Sequence, residues 1–570
     1  MKTSCLFLTV FVAFFTVAIF RASAQVEVTL DPESVACDEF LGFGANWSPL
    51  NYGSVSDASF STPADRVRWM RLPSVRVMML LRWCLKAPDT YDWDNSQMNA
   101  LYRLLDVCQE VGATVFLADW GCEAVWNDVP IVPPINTTED PRYAEGIATY
   151  VDYLVNNRGY TCIRYLTMVN EPNWTVGDYA RWKTGFQQLA TLLNQRGLDQ
   201  KVKLAAPDSS HGGEQWLYDS VDDLQGSIGA YDVHCYAEES VLRAGLLTNY
   251  FAQMWNYAAA EDPQAAGKPF VVGEAGLYYG GFTAEGNDSI DEYFYGLHVT
   301  DYAVQAANAG SDSVMAWWLD DQSIEGFSWG MWDNAAAGYA LRPWFYPWSL
   351  LSRYIPAGSQ ILNTTSGPDV RVLAALTPKG DWAFCVVNRG ETPATVVFNP
   401  QSNRRVYAER FLYSESSAAA DDSGFPVALS RGVEDLAQNL EVTCPALSVA
   451  FVRTEFDRWL DTDGDGLPDE DELRDLDPAQ EGVQNPFNPD VADATGDDGV
   501  AVPDGIPDGQ NDWDGDGMSN ETELQWGYNP IDPASYGELP LSRWAYMALA
   551  SAVLAFGVFV GRRVRRSRIG

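Results

Sequence analysis

Basic residues are scarce in this chain. Its 570 residues include 37 Lys and Arg against 78 Asp and Glu, a formal net charge of −41. Phosphate backbones are bound by clustered Lys and Arg, so this balance argues against nucleic acid as a partner. Histidine is scarcer still, with three residues, and no cysteines fall in a CxxC pair. That leaves no cysteine framework for a metal. Long apolar runs are confined to the two ends. The first follows Lys2, spans 5–20 and precedes Ala22-Ser23-Ala24. It reads as a secretory signal over 1–24, with a mature chain beginning near Gln25 and an exported, cell-surface destination. Export permits disulfides. Of the eight cysteines beyond the signal, most are expected to be buried thiols; Cys385–Cys444 and Cys84–Cys122 are the bridges considered.

Abundant instead are short apolar runs separated by longer, helix-compatible segments. The runs are 41–44, 75–81, 114–118, 163–169, 202–206, 231–236, 270–273 and 313–318. Strands apolar on both faces belong to parallel sheets covered by helices. Eight such units predict a (β/α)8 barrel over 25–345. Beyond it, 370–376, 382–388, 395–398 and 447–452 are short strands with turn signals between them, predicting an all-β sandwich over 346–455, to which a strand at 26–30 can add.

Two carboxylates sit where this barrel should carry chemistry, at the ends of the fourth and seventh runs. Glu171 lies in TMVNEPNW and Glu274 in FVVGEAG. Two carboxyl groups facing one cleft cut glycosidic bonds: one protonated, to help the leaving oxygen depart, the other ionised. Asn170 is placed to bond a sugar 2-hydroxyl. His234 and Tyr236 share one face of the sixth run, by alternation. Tyr236 is placed to hold Glu274 ionised and oriented. Flat indole faces suit sugar rings; of Trp47, Trp120, Trp174, Trp317 and Trp318, the first choices are Trp317 and Trp318, then Trp120.

With a sandwich after the barrel, the Asn-Glu-Pro motif and the second glutamate resemble glycoside hydrolase clan A. Asn170-Glu171-Pro172-Asn173 is similar to families 5 and 39, and the GFGAN opening to family 30. The resemblance implies a retaining β-glycosidase acting on a poly- or oligosaccharide, with Glu171 as acid/base, Glu274 as nucleophile and no catalytic cofactor. It also implies that Arg76, or its rival Arg82, lies beside Glu274. A non-catalytic carbohydrate-binding protein and a transglycosylase remain alternatives on the same scaffold.

The segment 457–538 holds 24 Asp and Glu against Arg458 and Arg474, a net of −22. Asp461, Asp463, Asp465, Gly466, Asp469 and Glu472 have calcium-loop spacing, as do Asp512, Asp514, Asp516, Gly517, Asn520 and Glu523. Alternate side chains converge on one ion, and glycine permits the sharp turn. The segment 456–538 resembles thrombospondin type 3 repeats, with calcium as a structural ion. Over 539–570, a short motif, the apolar run 545–561 and five arginines resemble a bacterial C-terminal sorting signal. The expectation is one C-terminal transmembrane helix, membrane attachment through it, and a sorting protease as a possible partner.

Overall fold

In a computed structural model, the described residues are 24–454 apart from 124–128, 130, 279–285, 323–326, 368, 403 and 404, together with 519 and 522. The chain forms two compact units. Of the described residues, one holds those within 24–402, 409–431 and 436–453, and the other holds those within 405–408 and 432–435 together with 454, 519 and 522. The barrel lies in the first.

Its eight parallel strands close in chain order: Gly42–Trp47, Ser74–Met79, Thr114–Asp119, Ile163–Thr167, Lys203–Ser209, Ile228–Glu238, Phe270–Tyr278 and Ser313–Ala316. Apolar side chains fill the lower interior, where Phe116, Ala205, Ala230, Val271 and Met315 pack together. A barrel plugged this way has a floor, and the strand ends above it form the working face. Asparagine and aspartate side chains start the intervening helices. Asn95 accepts from the amides of Gln97 and Met98 ahead of Ser96–Glu110, and Asp140 accepts from that of Arg142 ahead of Pro141–Asp152.

An eight-stranded sheet runs Ser417–Ala418, Arg405–Ser414, Ser448–Arg453, Trp382–Asn388, Val370–Leu376, Ser359–Leu362 and Val35–Phe40, with one more strand paired off that path. A three-stranded sheet of Ala24–Thr29, Ala394–Asn399 and Leu440–Cys444 faces it, with Phe384 against Phe398 at 4.4 Å between ring centres. The chain thus contributes two strands to these sheets before the barrel begins. Arg389 joins sheet to barrel, donating to Asp301 on the helix Tyr293–Asn308 at 2.8 Å.

The transmembrane expectation is corrected. Among the described residues, no helix is long and apolar enough to cross a membrane. The architecture therefore has no spanning helix there, and membrane attachment through one is withdrawn; the run 545–561 lies outside the described residues, as does the sorting motif. The eight cysteines beyond the signal are free, buried thiols, as expected of most of them; neither of the bridges considered, Cys84–Cys122 or Cys385–Cys444, is formed. The ten calcium-ligand candidates, Asp461 to Glu472 and Asp512 to Glu523, also fall outside the described residues.

Candidate active site

Six barrel strands send polar side chains to one point above the apolar floor. The fourth strand ends at Thr167, and Glu171 follows in a left-handed conformation, φ 46°, as the cap of a short helix Pro172–Thr175. Asp208, in the fifth strand, is also left-handed, φ 62°. Non-glycine residues held there store strain, and such strain gathers at functional sites.

Glu274 is placed by a bulge. His234 pairs with Glu274 while the preceding Val233 pairs with Val272, so the seventh strand carries one extra residue, Gly273. A Cβ on Gly273 would lie 2.3 Å from Asp232 Oδ1, so glycine alone fits. The bulge turns the Glu274 carboxylate inward, beside the His234 ring.

Arg76 is the hub. Its guanidinium is fully buried and donates to Glu274 Oε1 at 2.9 Å, Asn46 Oδ1 at 3.0 Å, Asn170 Oδ1 at 2.6 Å and Asp208 Oδ2 at 2.8 Å. Arg82 lies in the turn Leu81–Trp83 after the second strand, so Arg76 and not its rival meets the carboxylates. His234 bridges Glu171 Oε1 at 3.0 Å through Nδ1 and Asp208 Oδ1 at 3.2 Å through Nε2. Tyr236 donates to Glu274 Oε2 at 2.8 Å.

The charges follow from these contacts. Burial works against a charged His234, but Glu274 and Asp208 hold its pKa well above the ordinary histidine value, so the ring is an imidazolium donating from both nitrogens. Burial would raise Asp208, but Arg76 and His234 hold it below the usual carboxylate range. Burial raises the Glu274 carboxyl, while His234 and Arg76 pull it down; the net direction is upward. Burial pushes Asp232 well up, and the charge on Asp208 adds to that. No donor reaches either oxygen of Asp232. A protonated Asp232 resolves this, because it is itself the donor, toward Asp208. Tyr236 stays a neutral donor, its pKa driven up by burial and by Glu274.

Glu171, His234 and Glu274 have candidate ligand atoms within 4.8 Å of one another, as do Asp208, Asp232 and His234. Such spacing can hold a metal ion. Calcium prefers six to eight oxygens, however, and this set supplies a histidine nitrogen with Arg76 already between the carboxylates. The donor set does not match calcium, and no step below uses a metal.

The aromatic candidates separate by exposure. Trp120 and Trp317 are half-buried at the mouth with rings 6.4 Å apart and 27° from parallel. Arg76 lies 4.9 Å from the Trp120 ring centre. Trp318 is 1% exposed and stacks on Trp317 at 4.0 Å, so it supports that ring and offers no face of its own. Trp47 is core, its indole nitrogen donating to Tyr52. Trp174 is exposed.

The sequence reading missed Asn46, Asp208 and Asp232. Asn46 sits in the quoted GFGAN run, and Asp232 shares the parity of His234, so both had a signal. Asp208 follows Pro207, a residue that normally ends a central strand; here the strand continues through it. A cavity of about 1010 Å³ lies elsewhere: Arg164, Lys203 and Ile228 place it at the strand starts, the opposite end of the barrel.

No protein-family model and no curated protein matches the sequence. Solved structures do. A GH30 endoxylanase from Clostridium papyrosolvens matches with TM-score 0.54 and 16% identity, over 75% of this chain and 100% of that one. The catalytic domain of GH30 xylanase C from Talaromyces cellulolyticus matches at 0.55 and 12%, with the same coverage of both. An α-L-arabinofuranosidase from Thermotoga maritima gives the same figures, 0.55 and 12% over 75% and 100%. At these identities the likeness establishes the fold alone, a closed eight-stranded (β/α)8 barrel like those of these structures.

Proposed function

We propose that this chain is an exported, retaining β-glycosidase that hydrolyses O-glycosidic bonds in a poly- or oligosaccharide. The supporting observation is the carboxylate pair. Glu171 and Glu274 bring oxygens within 4.8 Å of each other. Carboxyl groups about 5–5.5 Å apart suit a covalent glycosyl intermediate, whereas separations of roughly 6.5–9.5 Å leave room for a water. Their surroundings differ in the required sense. Glu274 is 4% exposed with both oxygens held, by Arg76 and Tyr236; Glu171 is 24% exposed and has one oxygen on His234.

In this reading the Glu274 carboxylate attacks the anomeric carbon as Glu171 gives its proton to the leaving oxygen. The glycosidic C–O bond breaks and the alcohol departs with that proton. Glu171, now a carboxylate, takes a proton from water whose oxygen attacks the same carbon. The sugar leaves, Glu274 regains its charge and Glu171 its proton. Asn170 accepts from Arg76 through its oxygen, which directs its NH2 toward the substrate, where a sugar 2-hydroxyl can accept. Trp317 and Trp120 are the sugar-stacking faces. Two inversions give net retention, so proton NMR of the first product should show the substrate's anomeric configuration. An inverted first product would remove the nucleophile role from Glu274.

Arg76 sets the acidic limit of activity. Glu274 must be ionised to attack, its carboxyl is raised by burial, and Arg76 opposes that rise. Arg76→Gln should therefore move the acidic limb of kcat/KM to higher pH; Arg76→Lys should move it less. A pH–rate profile checks this, and an unshifted limb in a folded Arg76→Gln protein would contradict it.

A further inference from the structure

Trp174 stands three residues beyond Glu171 and is 76% exposed. Its segment is firmly held. The Trp174 amide donates to the Glu171 carbonyl at 2.9 Å. Thr175 Oγ1 donates back to the carbonyls of Asn170 and Glu171, at 3.0 and 3.1 Å. Asn173 exchanges two bonds with Ser210 of the next loop: its Nδ2 donates to Ser210 Oγ at 2.8 Å, and its Oδ1 accepts from the Ser210 amide at 3.0 Å. A Cβ on Gly213 would lie 2.9 Å from Asn173 Nδ2, so the two loops also meet closely there. The backbone therefore presents a large apolar ring to water from a fixed base. Water disfavours that arrangement. Among the described residues, the mouth indoles of Trp120 and Trp317 are half-buried and that of Trp318 is buried.

Position supplies the reason. Whichever group carries the leaving oxygen must lie on the Glu171 side of the scissile bond, because Glu171 delivers its proton there. The segment that leads directly away from Glu171 bears Trp174, three residues on. An indole has a flat face for the C–H face of a sugar ring and an N–H for a hydroxyl. A ring carried on a held backbone loses less freedom when a sugar settles on it than one on a mobile loop.

We infer that Trp174 is the platform of a leaving-group subsite that takes a sugar ring, so that the enzyme prefers sugar leaving groups of oligomeric chains over leaving groups without a ring. This rests on the glycosidase reading above.

The test compares the full-length protein with Trp174→Ala and Trp174→Phe. The probes are β-linked xylo-, cello-, manno- and galacto-oligosaccharides of two to six sugars, and the glycosyl fluoride of whichever sugar is cleaved. Fluoride departs without a ring and so leaves the subsite empty. Trp174→Ala should lower kcat/KM on the oligosaccharide by about tenfold or more, the order of an aromatic stacking contact. The fluoride rate should stay within twofold, and Trp174→Phe should fall between. Equal rates on the oligosaccharide for wild type and Trp174→Ala, or an equal loss on both substrates, would overturn the subsite and leave the glycosidase reading standing. Wild-type protein inert toward every oligosaccharide and fluoride would overturn both.

Discussion

Glu274→Ala is expected to stop turnover of every glycoside, with kcat falling on the order of 10⁵-fold, as when a covalent nucleophile is removed. The fold should survive. Arg76 loses one of its partners but keeps Asp208, Asn46 and Asn170, and Asp208 also keeps its contact with His234; the site is left with one excess positive charge beside the vacated position. The new methyl group leaves a space beside the anomeric carbon, on the face Glu274 attacked. Azide is small and anionic, and Arg76 and the imidazolium of His234 favour an anion there. Added azide should restore part of the rate on a glycoside with an activated leaving group. It attacks once, so the glycosyl azide should be inverted. Two results would sink the assignment: ordinary turnover without azide, or an azide product of retained configuration.

The glutamates were legible because chain order and period carry them. Short apolar runs bounded by helix-like segments give a barrel, and a carboxylate after a run gives a position at its mouth. Which residues surround each glutamate was harder to read. Arg76 and Arg82 share one parity, and only the end of the second strand at Met79 separates them. Glu274 lies within its strand, re-aimed by the Gly273 bulge, and a bulge leaves no trace in an apolar run. Asp208 was hidden behind Pro207. Trp317 and Trp318 are adjacent and chemically alike; one is half-buried and the other enclosed, a difference set by packing from distant segments. The protonated Asp232 is a matter of three-dimensional charge balance. It depends on Arg76, Asp208 and His234 from three other strand positions, which no local pattern encodes.

Glu171→Ala should fail in a different way, and the difference separates the two roles. A sugar alkoxide is a poor leaving group and needs the proton; fluoride and dinitrophenolate do not. Loss of a general acid costs about 10²–10⁴-fold, so hydrolysis of oligosaccharides should fall by that range. On an activated glycoside the first step should stay fast, because Glu274, Arg76 and Tyr236 are unchanged. The second step should slow, because no base remains to take the proton from water. A burst equal to one leaving group per enzyme should therefore precede slow turnover, with the sugar held on Glu274. His234 loses the acceptor on Nδ1 but keeps Asp208 on Nε2, so the ring should stay in place. Alanine also keeps the strained left-handed backbone at this position, φ 46°, so the helix Pro172–Thr175 should stay anchored. Azide needs no base and should speed the second step. Here it attacks the glycosyl-enzyme, the second of two inversions, so the azide product should be retained, opposite to the product from Glu274→Ala. Stopped-flow detection of the burst and NMR of the two azides read both outcomes. Equal losses on oligosaccharide and dinitrophenyl glycoside, or an inverted azide from Glu171→Ala, would show that Glu171 is not the acid.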